Sequence, residues 1–268
     1  MIKAVIFDLG GTLIDKFSLS PLVNLSKAFK QRNIVIPNRI IAQDMGKKKC
    51  DHIYSISREP FFYEQFKDVY KRDPNDSDLG DIYSIFCAFQ GADLRKKQEL
   101  IPETKVVMNY LREKDIKIGI TTGFNKEQMD LVLDRLNKED IFPDSAVSSS
   151  CIDDLSRPNP FMIYRNMDLL GITNPTEVIK IDDTAVGVQE GLNAGCISVG
   201  VARWSINMGV LTIKERDKLE DDDSKYIIRN KLVKSRDILQ KSGATHVIDT
   251  LDELPIIIEH TNSCDVRT

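Results

Sequence analysis

The amino-acid sequence predicts an α/β protein built on a doubly wound parallel sheet, with a helical cap domain inserted after the first strand. Three observations carry this expectation. Ala4-Val5-Ile6-Phe7 is an apolar run that stops at Asp8 and is followed by Gly10, Gly11 and Thr12, the pattern of a buried strand whose C-terminal end opens into a ligand crevice. From about residue 101, short β-rich runs alternate with segments of helical period, which specifies strands joined by helical crossovers and so a parallel sheet. Between them, residues 17–100 carry helical patterns throughout. Residues 1–16 with 101–268 are therefore the expected core, and 17–100 the expected cap.

Taken in order, Leu22, Leu25, Ala28 and Phe29 line one face of a helix over 21–32, with the spacing of an amphipathic helix. A second helix starts after Pro37 with Ile40, Ile41 and Met45, and is expected to run on through Ile53. On such a helix Met45, Lys49, His52 and Ile53 share a face while Lys47 and Lys48 point elsewhere. An amine beside an imidazole and two apolar side chains, with like charges next door in sequence, is expected to shed its proton readily and become nucleophilic. Phe61, Phe62, Phe66, Val69 and Tyr70 give a third amphipathic helix, 74–78 a turn, and 82–89 the last cap segment. A helix through Val106, Val107, Tyr110 and Leu111 then leads to a strand at 117–121. A helix with Met129, Val132, Leu133 and Leu136 inward leads to another at 145–148, and further strands are expected at 177–181, 197–201 and 246–249. Ala185, Val188 and Leu192 face inward on a helix that stops at Asn193-Ala194-Gly195. The charge-rich stretch 214–223 is expected to be a solvated helix or loop, and 261–268 to fray.

The chain has 268 residues, 41% hydrophobic and 29% charged, with a net charge of −4. This is the composition of an ordinary soluble globular protein, and it offers no electrostatic reason for nucleic-acid binding. No apolar run is long enough to cross a bilayer, and no secretory leader pattern precedes the first strand. Five cysteines, at 50, 87, 151, 196 and 264, are scattered without a C-x-x-C pair. Reduced thiols in a cytoplasmic protein are expected, rather than a disulfide frame or a zinc site.

Four strand ends bring polar groups toward one crevice: Asp8 with Thr12, Thr122 with Gly123, Arg157 ahead of Pro158, and Asp182-Asp183-Thr184. Asp8 is the leading candidate nucleophile. Paired aspartates also make turns and Thr-Gly also opens helices, so the ordered recurrence carries more weight than any one pair. These residues resemble the four motifs of the haloacid dehalogenase superfamily, whose fold is a Rossmann-like sheet with an inserted cap. The resemblance implies that Asp8 attacks phosphorus, that Thr12, Thr122 and Gly123 bind the phosphoryl group, and that Arg157 neutralises it. It also implies that Asp8, the Gly10 carbonyl, Asp183 and Asp182 hold Mg²⁺, a hard cation that prefers oxygen ligands. Phosphatases of the superfamily carry an Asp two positions after the nucleophile to protonate an oxygen leaving group; here that position is Gly10.

Within the superfamily, the chain resembles the phosphonoacetaldehyde hydrolase family from Ile2 to about His260. The cap motif Met-Gly, two residues, Lys, one residue, Asp-His is met by Met45-Gly46, Lys49 and Asp51-His52. Lys117-Ile118-Gly119, Thr121-Thr122-Gly123, Arg157-Pro158 with Pro160, Met162-Ile163-Tyr164, Glu190-Gly191 and Asn193-Ala194-Gly195 match as well. That family has a small residue at the place of Gly10. The resemblance implies cleavage of a phosphorus–carbon bond, in which an imine of Lys49 accepts the electrons that a bare carbanion could not hold. His52 would move protons, Met45 would pack beside the imine and bind substrate, and the cap would close over the core in a homodimer formed through the cap. The chain departs from the family pattern at Asp182, where Gly is usual, at Gly187, where a second Asp is usual, and at Phe124, where Tyr is usual. Lys47 and Lys48 occupy places where at least one residue is usually apolar. Two rival readings are a phosphatase or phosphomutase on the same fold, disfavoured by Gly10, and a non-catalytic phospho-ligand binder. Joint retention of Asp8, Lys49, His52, Arg157 and Asp183 disfavours the second.

Overall fold

The computed structural model describes residues 1–96, 99–152, 155–219 and 225–265, with side chains through residue 263. Six parallel strands form one sheet in the order β3-β2-β1-β4-β5-β6. They are β1 Ala4–Phe7, β2 Lys117–Thr122, β3 Ser145–Ser148, β4 Val178–Asp182, β5 Ile197–Val201 and β6 His246–Ile248. β1 is central because the chain winds outward from it first to β2 and β3, then to β4, β5 and β6. The reversal between β1 and β4 is the switch point at which open α/β sheets bind ligands. Phe7 pairs in register with Ile120 on one side and Ile181 on the other, so Asp8, Thr121 and Asp182 leave the sheet at one level. Helices cover both faces of the sheet: Val5, Phe7, Ile118, Ile120, Ile179 and Ile181 are buried on one face, and Ala4, Ile6 and Val178 are buried on the other, in one cluster with Ile163 and Met167.

Among the described residues, five α-helices stand between β1 and Ile101: α1 Leu19–Gln31, α2 Asn38–Gln43, α3 Lys49–Ser57, α4 Pro60–Tyr70 and α5 Asp76–Leu94. They share a hydrophobic core of their own, in which Leu25, Phe29, Ile53, Phe62, Phe66 and Phe86 are buried and Ile206 joins from the sheet side. The Phe29 and Phe62 rings meet edge to face at 5.9 Å. Each such buried phenylalanine stabilises the cluster by roughly 1.5–3 kcal/mol. The chain leaves the sheet through Asp15, Phe17 and Ser18, all in the left-handed region, and returns alongside itself, with the Ile101 amide donating to the Leu13 carbonyl.

The remaining helices are α6 Thr104–Glu113, α7 Lys126–Asn137, α8 Phe161–Leu170, α9 Ala185–Asn193, α10 Ile213–Leu219, α11 Lys225–Lys241 and α12 Leu254–Asp265. Several details differ from expectation. The second cap helix is not continuous: α2 ends at Gln43, Gly46 takes φ +95°, and α3 starts afresh at Lys49. Met45 therefore lies outside the helix that carries Lys49. Asp76–Asp78 are not a turn but the first turn of α5, because Asn75 caps it by accepting from the Asp78 amide. β4 starts one residue later than expected, after a helical turn at Pro175–Glu177, which makes Asp182 its last residue. Leu192, Val69 and Val106 are exposed. Residues 261–265 continue α12 rather than fraying, and 266–268 lie outside the described residues, as do 220–223 of the charged stretch. No described helix is long and apolar enough to cross a membrane.

Candidate active site

The sheet register delivers Asp8 and Asp182 side by side, and the turn into α9 adds Asp183. Each offers a carboxylate oxygen within 4.8 Å of the others, and all three are buried. Gly11 makes the approach possible: at φ +69° it needs no side chain, and a Cβ there would stand 2.4 Å from Asp183 Oδ2. The loop after β5 holds Asp183 from the other side. Ser205 Oγ and Asn207 Nδ2 donate to its carbonyl at 2.6 and 3.1 Å, and the Ile206 amide donates to Oδ2 at 3.3 Å.

Arg157 is the hub of the charge network. Its Nη1 lies 2.8 Å from Asp8 Oδ1 and 3.4 Å from Asp182 Oδ2, its Nε donates to Glu190 at 2.8 Å, and its Nη2 donates to Thr121 Oγ1 at 2.7 Å. Lys180, fully buried, stands 2.9 Å from Asp182 Oδ2 and donates to Thr121 Oγ1 at 2.8 Å. Burial lifts the Asp8 carboxyl to about 6, with Arg157 pulling against it. Burial also pushes Asp183 well above the carboxylate range, and the Asp182 and Asp8 charges add to this. Asp182 is held low, because Lys180 and Arg157 outweigh its burial.

This donor set fits a divalent cation. With all four ionised, Asp8, Asp182, Asp183 and Glu190 outnumber by two the cations paired with them among the described residues, Arg157 and Lys180. Asp183 Oδ1 is buried without a hydrogen-bond partner, an arrangement that is costly unless a cation completes it.

The connection from α2 to α3 and the start of α3 supply the other wall of the crevice. Lys49, Met45 and Lys47 line the same cavity as Asp8, Gly10, Thr122, Gly123 and Arg157. Two glycines let the walls meet: a Cβ on Gly123 would stand 3.0 Å from the Lys47 carbonyl oxygen, and one on Gly46 would stand 2.6 Å from Thr184 Oγ1. Lys49 opens α3 and is buried, its Nζ 3.6 Å from Met45 Sδ. Burial brings its ammonium down to about 8; the Asp8 charge opposes this and Arg157 reinforces it. The neighbouring lysines do not figure among the causes, and Lys47 is paired with Asp44 at 2.7 Å. Lys47 also lines the cavity, where the continuous-helix reading had pointed it elsewhere.

Two expected site residues stand behind the wall. Thr12 is fully buried with its hydroxyl unpartnered. His52 is fully enclosed, neither ring nitrogen has a hydrogen-bond partner, and burial together with the Lys49 charge depresses it to about 3, so it is neutral. Lys180, Thr121 and Ser205 were not among the expected site residues. Lys180 had a signal, a charged residue in the otherwise apolar run Val178-Ile179-Lys180-Ile181; a lysine inside a two-faced buried strand requires anionic partners.

A sequence model of the haloacid dehalogenase-like hydrolases matches residues 2–195. A phosphonoacetaldehyde hydrolase of Syntrophobacter fumaroxidans is 33% identical over 261 residues, covering 97% of this chain and 92% of its own. One from Parabacteroides distasonis is 34% identical over 267 residues, covering 98% of each. The crystal structure of a phosphonoacetaldehyde hydrolase-like protein from Oleispira antarctica superposes with a TM-score of 0.88 at 27% identity, covering 98% of this chain and 93% of that one.

Proposed function

The chain belongs to the phosphonoacetaldehyde hydrolase family of the haloacid dehalogenase-like hydrolases, and from that membership we propose that it hydrolyses phosphonoacetaldehyde to acetaldehyde and phosphate through an imine of Lys49. The observation that carries this reading is a buried lysine, its amine brought down to about 8, in the same cavity as Asp8 and Arg157. Position 10 supports it. That residue is a glycine where the superfamily's phosphatases carry the acid for an oxygen leaving group, and a Cβ there would stand 3.2 Å from Ser18 Oγ.

In this mechanism the neutral Lys49 amine adds to the substrate aldehyde and water leaves, giving the protonated imine. An Asp8 carboxylate oxygen then attacks phosphorus. The phosphorus–carbon electron pair forms a C=C bond while the C=N⁺ π pair moves onto nitrogen, giving an enamine and an aspartyl phosphate. Protonation at carbon and addition of water release acetaldehyde from Lys49, and a second water releases phosphate from Asp8. Arg157 and the Thr122–Gly123 turn bind the phosphoryl oxygens. Met45 packs against the amine and excludes water, and enclosed, neutral His52 acts beside Lys49 in proton movement. Asp8, Asp183 and the Gly10 carbonyl would hold Mg²⁺ with support from Asp182. When bound, the cation stabilises charge developing on the phosphoryl oxygens. Residues 17–100 serve as the cap that closes the crevice.

The direct test follows both products from phosphonoacetaldehyde with Mg²⁺, against a simple phosphomonoester. Acetaldehyde and phosphate in equal amounts support the reading; phosphate from the ester alone overturns it. Two further outcomes follow. Because the attacking amine must be neutral, kcat/KM is expected to rise about tenfold per pH unit below about 8 and to level off above it. A profile whose rise is centred near 10.5, the ordinary lysine value, contradicts a preactivated Lys49. Because a cation relieves the carboxylate excess, Mg²⁺ at about 100 times its Kd should stabilise the substrate-free protein by about 2.7 kcal/mol relative to EDTA. Coincident melting curves in Mg²⁺ and EDTA would contradict the metal centre.

A further inference from the structure

Three fully buried groups beside the candidate site have no part in the mechanism above: Thr121, Lys180 and Glu190. They converge on Arg157. Its Nε donates to Glu190 Oε2 at 2.8 Å, and its Nη2 donates to Thr121 Oγ1 at 2.7 Å and to the Thr121 carbonyl at 3.2 Å. Nη1 is the nitrogen turned to Asp8, 2.8 Å from Oδ1, with Asp182 Oδ2 at 3.4 Å. A guanidinium is a rigid plane, so holding Nε and Nη2 fixes the direction of Nη1.

The groups that hold Arg157 are themselves held. Thr121 Oγ1 also accepts from Lys180 Nζ at 2.8 Å, which turns its own proton toward Glu190 Oε2, 3.5 Å away. Lys180 Nζ stands 2.9 Å from Asp182 Oδ2 and 3.7 Å from Glu190 Oε2, bridging the two carboxylates. Gly191, next to Glu190, lets α9 lie this close to β4: a Cβ on it would stand 2.9 Å from both Cβ and Cγ of Lys180. Glu190 is costly to keep, because its Oε1 is buried without a hydrogen-bond partner.

We infer that Glu190 is a positioning residue for the reaction: with Thr121 it locks the Arg157 guanidinium so that Nη1 faces Asp8 and the phosphoryl group, and Lys180 keeps Glu190 and Thr121 in place. The kinetic half of this inference rests on the reading above, whereas the lock itself stands without it.

Glu190→Gln keeps the size of the side chain and an acceptor for Nε, but exchanges a charge-assisted hydrogen bond for a weaker neutral one. It is expected to lower kcat on phosphonoacetaldehyde about 10–100-fold and to change KM by less than about threefold. In an Arg157→Lys background the same substitution should change kcat by less than about threefold, because an ammonium has no Nε to hold. No loss of kcat, a loss confined to KM, or equal losses in both backgrounds overturns the positioning role; the last is what a merely structural Glu190 would give. If Glu190→Gln does not fold, Thr121→Val, which removes the Oγ1 contact with Nη2, carries the kinetic comparison with the same outcomes. Hydrogen exchange tests the lock without substrate. The Arg157 Nε–H, identified as the arginine NMR signal that Arg157→Lys removes, should exchange with water at least about tenfold faster in Glu190→Gln than in the unchanged protein. Equal exchange rates overturn the lock. Absence of turnover by the unchanged protein overturns the reading of the reaction and the kinetic half with it, while the exchange rates still decide the lock.

Discussion

Lys49→Met is expected to reduce turnover of phosphonoacetaldehyde by at least about 10³-fold while making the protein more stable. The two effects have one cause. Lys49 is buried beside Met45 with its amine brought down from 10.5 to about 8, so below pH 8 the fold holds an ammonium in a place that disfavours it. The unfolded chain, with the higher pKa, binds more protons between pH 8 and 10.5. The penalty is therefore fully present below 8, fades as pH rises through that window, and is gone above it. A shift of this size corresponds to roughly 3 kcal/mol at pH 7. Methionine keeps the length and apolar stem of the side chain and removes the charge, so the melting temperature should rise at pH 7 and the gain should shrink toward pH 10.5. Chemical denaturation at several pH values together with product assays checks both halves. A variant that is inactive and equally destabilised at every pH would instead mark Lys49 as a packing residue.

Arg157→Ala is expected to lower stability by about 3–5 kcal/mol and to abolish activity as well. The guanidinium contacts Asp8, Asp182, Glu190 and Thr121 at once. Its removal leaves Lys180 as the one cation among the described residues of that buried carboxylate network. Breaking one partner out of a buried network costs far more than the pair contributes, because the remaining charges stay desolvated. Arg157→Lys should recover part of the stability but little of the activity, since a single ammonium cannot reach Asp8, Glu190 and Thr121 together. Equal activity of Arg157→Lys and the unchanged protein would contradict the assignment of Arg157 to the phosphoryl group.

Much of this arrangement is legible in the sequence because strands advertise themselves. The run ending at Phe7 and those over 117–121, 145–148 and 197–201 are short, of strand character and bounded by turn residues, so the parallel sheet and the convergence of Asp8, Thr122 and Asp182 on one crevice follow from pattern. The helices between β1 and residue 100 were legible through their faces, which carry Leu25, Phe29 and Phe62. The break at Gly46 was not. A lone glycine inside a helical period is ambiguous, and what decides it is contact with Thr184 and the Thr122–Gly123 turn, elements more than seventy residues away in sequence. Asp76–Asp78 was misread for a related reason: Asn and Asp serve both turns and helix caps, and only the Asn75 hydrogen bond distinguishes them. The lowered proton affinity of Lys49 was legible in its apolar neighbours, because burial is its main cause, but the like charges next door in sequence are not among the causes. The opposing charges of Asp8 and Arg157, distant in sequence, act on it instead.

The central claim is that the Lys49 amine forms the imine through which phosphorus–carbon cleavage proceeds. Its most direct test is reduction with borohydride in the presence of phosphonoacetaldehyde, followed by peptide mapping. The account predicts irreversible inactivation with a two-carbon adduct on Lys49, and on neither Lys47 nor Lys48. An adduct on either neighbour, or hydrolysis that proceeds unaffected by borohydride with no adduct on Lys49, would contradict it.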